Sequence, residues 1–151
     1  MSGHFIHRPS HSPGARSPVR QITRGLVYLW AGPTTLIGLF ATLVALSSGG
    51  CARVVEGVLE VHGGLLTFFL SRCTPPRGGA SAMTLGHVVI ARDAGLLDLT
   101  RRHERVHVRQ CERWGPFFLP AYLFASLIAL VRGKRPYMDN IFEREAYAWD
   151  T

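Results

Sequence analysis

Acidic side chains are scarce in this chain. Asp and Glu number 10 against 17 Lys and Arg, and the first 25 residues carry none. Charge of either sign is thin, at 18% beside 47% hydrophobic residues, which is lean for a fully solvated surface and implies that some apolar surface meets lipid. Cysteine is limited to Cys51, Cys73 and Cys111, an odd number at irregular spacing. That excludes a disulfide framework and a CxxC metal knuckle, leaving at most one Cys51–Cys73 bridge in an extracytoplasmic setting. No internal repeat occurs. The net charge of +7 comes without a nucleic-acid motif or a basic and aromatic stacking platform, so nucleic acid is not expected as a partner. At 151 residues the chain accommodates one domain and not two substantial ones.

What is present begins with a leader, residues 1–24, rich in Ser, Pro, His and Arg and without apolar periodicity; it reads as disordered. His4, His7 and His11 lie in it and are poor candidates for ligands. Arg8, Arg16, Arg20 and Arg24 supply over half of the net charge. Leu26 to Leu46 is then a run of 21 uncharged residues, long enough at about 1.5 Å per residue to cross a hydrocarbon core of roughly 30 Å. A transmembrane helix is therefore expected over 26–48, with Tyr28 and Trp30 as interfacial anchors and Pro33 tolerated by lipid. The following "LSSGGC" lacks the small-residue exit of a signal peptide, and Ser48 stands where a lipoprotein signal has leucine. With the arginines ahead of the run and only Arg53 close behind it, the N-terminus is expected in the cytoplasm, in a single-pass membrane protein whose remainder faces outward.

Residues 51–151 read as one α+β domain. "RVVEGVLEVH" is β-branched, Gly63-Gly64 is a hairpin signal, and "LLTFFL" answers it as a second strand; "MTLGHVVIAR" adds a third, giving a small antiparallel sheet. Asp93 caps a helix ending at Trp114, where Gly115 and Pro116 stop it. The apolar segment 117–131 holds 15 residues and Pro120, which favours a re-entrant, in-plane or core helix over a span. Asp139 or Asn140 can cap a last helix, "IFEREAYAWD".

Inside the 94–114 helix, His103-Glu104-Arg105-Val106-His107 satisfies HExxH. Positions i and i+4 share a helix face, so two imidazoles can meet one metal ion while Glu104 reaches the water it activates. Zinc lowers the pKa of such water towards 7, and a carboxylate base then takes its proton. The site needs a third protein ligand. Glu143 and Glu145 are about 200° apart round the last helix, so only one of them can face the metal. Cys111 continues the His103, His107 stripe, but that stripe drifts by about 40° per step. His87, alone in its strand, is either structural or close to a substrate-binding edge.

HExxH followed some tens of residues later by a helix of the form E-x-x-A-D resembles the gluzincin metallopeptidases, among them membrane-bound ones such as the CAAX prenyl protease and the heat-shock membrane peptidases. Here "EREAY" matches at Glu143 and Ala146, and Tyr147 replaces the final Asp. The resemblance covers roughly residues 83–150. It implies a Zn2+ cofactor held by His103, His107 and Glu143, with Glu145 as the alternative, and Glu104 as general base. Asn140 or Asp150 would have to orient a ligand histidine in place of the missing Asp. Tyr137 or Tyr147 is available to stabilise an oxyanion. The expectation is a membrane-anchored zinc peptidase acting on a peptide or protein; the alternatives are a non-catalytic, membrane-anchored metal-binding or structural module, and an arginine-rich helix, Arg101 to Arg113, that docks on anionic lipid. The site also constrains topology: were 117–131 to cross the bilayer, the two histidines and Glu143 would lie on opposite sides.

Overall fold

Tight turns at glycine set the sheet. The computed structural model describes residues 18–74 and 78–150. Strands β1 (Cys51–Val55) and β2 (Val58–His62) pair antiparallel, Cys51 opposite His62 and Val55 opposite Val58. The connecting Glu56-Gly57 has φ of 51° and 82°, the two positive angles that a tight hairpin matched to strand twist requires. The hairpin is thus one turn earlier than Gly63-Gly64 suggested. Those glycines also have positive φ, but they swing the chain into a helix, α3 (Leu65–Arg72), rather than a second strand. The reason lies in "LLTFFL" itself: it does not alternate, and its Leu66 and Leu70, four apart, are the two residues that become buried.

"MTLGHVVIAR" likewise folds as two strands and not one. β3 (Ala82–Leu85) and β4 (Val88–Ala91) are antiparallel about Gly86-His87, and β4 runs parallel to β2. The sheet is therefore mixed, in the order β1-β2-β4-β3, with β3 at an edge. Alternation divides its faces. Val61, Leu85, Val88 and Ile90 join Leu66 and Leu70 of α3 in one core, and Val58, Val89 and Ala91 join Leu97 and Val108 in another.

The uncharged run at 26–46 is not a single helix. α1 (Pro18–Trp30) begins inside the segment read as leader, and α2 (Gly32–Ser47) follows Ala31. Pro33 has no N–H to offer the turn before it, which breaks the run there. At 16 residues α2 is about 24 Å long, short of a hydrocarbon core. It lies along the sheet instead, burying Thr34, Gly38, Thr42 and Ala45. Residues 1–17, most of the expected leader, lie outside the described residues.

α4 (Ala94–Trp114) starts where the Asp93 side chain accepts from the Leu96 N–H at 2.9 Å. It ends at Gly115, φ 55°, and a 3-10 turn leads into α5 (Phe118–Val131). Together Ala94–Val131 is the one helical stretch among the described residues that is long and apolar enough to cross a membrane, and it is not N-terminal. α6 (Ile141–Asp150) packs back against α4 and α5.

Candidate metal centre

α4 turns two of its faces inward. The sheet takes Leu97, Glu104 and Val108; His103, His107 and Gln110 face α6. α6 is fixed at its first turn by Asn140, which is wholly buried. Asn140 Oδ1 accepts from the Phe142 N–H at 2.9 Å, while its Nδ2 donates to Tyr122 O and Ser126 Oγ on α5 at 3.0 and 2.8 Å. Asn140 is therefore a cap and a tie between helices, not a partner for a ligand histidine. Its cap sets the angular position of α6, and that brings Glu143 onto the two histidines.

His103 Nε2 lies 3.2 Å from Glu143 Oε2, and His107 Nε2 lies 3.4 Å from Glu143 Oε1 and 3.1 Å from His103 Nε2. All three residues are buried, and one ligand atom from each falls within 4.8 Å of the others. Glu145 is elsewhere: it accepts from Gln110 Nε2 at 2.9 Å and from Arg113 Nη1 at 3.3 Å. Cys111 is wholly buried among Phe118 and Phe142, outside the group, and burial pushes its thiol up to about 12. Cys51 and Cys73 are free thiols, so the possible bridge is not formed.

Does this donor set suit a cation? Two imidazole nitrogens 3.1 Å apart repel through their lone pairs unless a proton or a metal ion lies between them. The surroundings favour positive charge here. Burial pushes the Glu143 carboxyl upward, but hydrogen bonds from His103, His107 and Tyr122 outweigh it and hold Glu143 down at about 2. Burial opposes a charged His107, yet Glu143 and Glu104 prevail and raise it. His107 Nδ1–H donates to Gln110 Oε1 at 2.8 Å, which directs Nε2, the metal-binding nitrogen, at Glu143. Two imidazoles and a carboxylate match zinc and other borderline divalent ions. The residues fit a metal ion, and nothing in them selects its identity.

Glu104 sits beside the group. Burial pushes its carboxyl upward, partly offset by His107 and by Thr84, whose hydroxyl donates to Glu104 Oε2 at 2.6 Å. His103 and Glu104 line a cleft of about 370 Å³ together with Ser81 and Ala82, at the start of edge strand β3, Leu99, Tyr137 and Tyr147. The Tyr147 ring lies 4.7 Å from that of His103, and burial pushes the Tyr137 phenol upward, so it remains a donor. Asp150 has no described side chain. His87 is structural: it occupies the β3–β4 turn, stacks on Tyr28 at 3.9 Å and places Nε2 3.1 Å from Glu112 Oε1.

Three participants had escaped sequence reasoning. Gln110 was detectable, three residues beyond His107 on the same face. Thr84 follows from strand alternation only once β3 is placed over α4, and no local signal marks Tyr122, whose hydroxyl donates to Glu143 Oε1 at 2.6 Å. In comparisons with known proteins, no family model matches the chain and no curated protein or solved structure is significantly similar to it.

Proposed function

We propose that this protein is a membrane-associated, zinc-dependent peptidase, with His103, His107 and Glu143 as metal ligands and Glu104 as general base. The observation that supports it is a buried three-residue donor group with a second carboxylate beside it, from which His103 and that carboxylate, Glu104, line a cleft at a sheet edge. Three protein ligands suit a catalytic site, where one coordination position stays open for chemistry; a structural site closes with four. A bound zinc ion would supply Lewis acidity, polarising a carbonyl and acidifying water.

The chain's own groups supply the rest. Glu104, raised by burial and held by Thr84, takes a proton from water and returns it to the leaving amine. Strand β3 pairs on one side only, so an extended peptide can join its free edge through backbone hydrogen bonds and lie across His103 and Glu104. Tyr137 and Tyr147 line the same cleft and would donate to an oxyanion. Gluzincin-like chemistry accounts for this whole arrangement, with Gln110 providing the histidine partner that Tyr147 does not.

The test is metal analysis of the full chain purified in detergent, followed by cleavage of quenched-fluorescent peptide pools. About one zinc per chain is expected, lost in His103→Ala/His107→Ala. Glu104→Gln should keep the metal and slow cleavage by about a hundred- to ten-thousand-fold. Folded protein that takes up no zinc, or Glu104→Gln at full activity, rejects the reading.

A further inference from the structure

We propose that the outer faces of α2, α3 and α5 form one docking surface for an anionic lipid bilayer, entered from a single side. Residues 26–47 and 117–131 contain no charged side chain, and neither does 65–71. α2 inverts the usual order of a helix on a core. Its small residues face the sheet, while Leu36, Ile37, Phe40 and Leu43 face outward, Phe40 at 68% exposure. Water selects the opposite arrangement, large apolar groups inside.

The same outward display continues on α3 with Leu65, Phe68 and Phe69, and on α5 with Leu123, Phe124, Leu127 and Leu130. The pieces adjoin. Trp30 before α2 meets Phe117 before α5 with ring centroids 6.2 Å apart, and Leu119 of α5 packs on the core shared by α2 and α3. So many large apolar groups, exposed side by side, exceed the patch a soluble monomer tolerates. Charge at the margins selects the partner: Arg72 ends α3, and Arg132 and Lys134 follow α5, all exposed, where anionic headgroups would lie.

Geometry fixes the mode. α5 has 14 residues, about 21 Å, and α2 about 24 Å, both short of a hydrocarbon core. The chain ahead of α5 carries His107 and the chain behind it carries Glu143, and these meet at 3.4 Å. A crossing at α5 would part them. The docking surface stands on its own; what rests on the proposed peptidase function is the consequence that Tyr122, on α5, ties this surface to the third metal ligand and sets the cleft beside the interface.

The experiment adds detergent-depleted full-length protein to preformed vesicles of phosphatidylcholine with or without phosphatidylglycerol and measures co-flotation. Flotation is expected with the anionic vesicles, weakened at least tenfold by Leu123→Ser/Leu127→Ser/Leu130→Ser with circular dichroism and metal uptake unchanged. In a Cys51→Ser/Cys73→Ser background, Arg113→Cys and Lys134→Cys, on either side of α5, should both react with a membrane-impermeant maleimide. Wild-type-like flotation of the triple variant overturns the proposal. So does a discrete oligomer that ignores vesicles, equal binding to neutral lipid, or labelling of only one cysteine. Metal uptake is read separately, so wild-type protein that takes up zinc but does not float with anionic vesicles rejects docking and leaves the metal-site reading intact.

Discussion

Gln110 uses both ends of its amide. Its oxygen accepts from His107 Nδ1, while its nitrogen donates to Phe142 O and Glu145 Oε2 on α6. One residue thereby fixes the tautomer of a candidate ligand and the register of the helix that carries another. Replacing it with Leu keeps the volume and removes both functions, so zinc affinity should fall about 10- to 100-fold, the usual cost of losing a ligand's hydrogen-bond partner. Competition against a chromophoric chelator measures this, and unchanged affinity would show that His107 needs no orienting group. The two glutamates separate by the same assay. Glu143→Gln should abolish tight binding, whereas Glu145→Gln, which loses only contacts to Gln110 and Arg113, should stay within a few-fold of wild type.

At the scale of elements, α2 shows what a stripe of small residues does. A methyl group on Gly38 would lie 2.6 Å from Val88 Cβ and 2.8 Å from Leu85 O, and the second of these is backbone that cannot step aside. Gly38→Ala should therefore lift α2 from the sheet and cost about 1–3 kcal/mol despite the better helix propensity of alanine. Gly25, exposed in α1 with nothing within 4 Å, is the control, and Ala there should gain up to about 1 kcal/mol. Thermal unfolding of both variants in one detergent decides the matter; equal shifts would mean α2 does not pack as described. The same stripe explains what could be read in advance. Uncharged composition announces apolar helices, and HExxH announces two histidines on one helix face, because both are local. That Gly38 and its neighbours want a sheet is a property of β3 and β4, some fifty residues on. The turn at Glu56-Gly57 was outweighed by the stronger glycine pair at 63–64, and α6 was legible through its Asn140 cap although α5, which that cap grips, gave no sign of it.

Across the whole molecule, one carboxylate joins the layers. Glu60 of β2, 2% exposed at its side chain, receives Arg101 of α4 at 2.8 Å and Arg53 of β1 at 3.0 Å, with Arg105 of α4 at 3.5 Å; Asp98 binds the outer sides of Arg53 and Arg101. Burial pushes the Glu60 carboxyl upward, but hydrogen bonds from Arg101 and then Arg53 prevail, and it titrates below its ordinary 4.5. The sign follows. A group whose pKa is lower folded than unfolded stabilises the fold fully above the unfolded value and loses that contribution as pH falls through the folded one. The protein should thus weaken progressively below about pH 4.5. Glu60→Gln should cost about 2 kcal/mol at pH 7, less than a fully enclosed pair because the arginines remain partly solvated, and should flatten the acid limb of the stability curve. Asp98 is also lowered by Arg53 and Arg101, so a shallower slope must survive the substitution. Urea unfolding of both proteins from pH 7 to pH 3 tests this directly: parallel curves would mean that Glu60 does not couple sheet to helix, and that the apolar faces alone hold α4, with its candidate metal ligands, over the sheet.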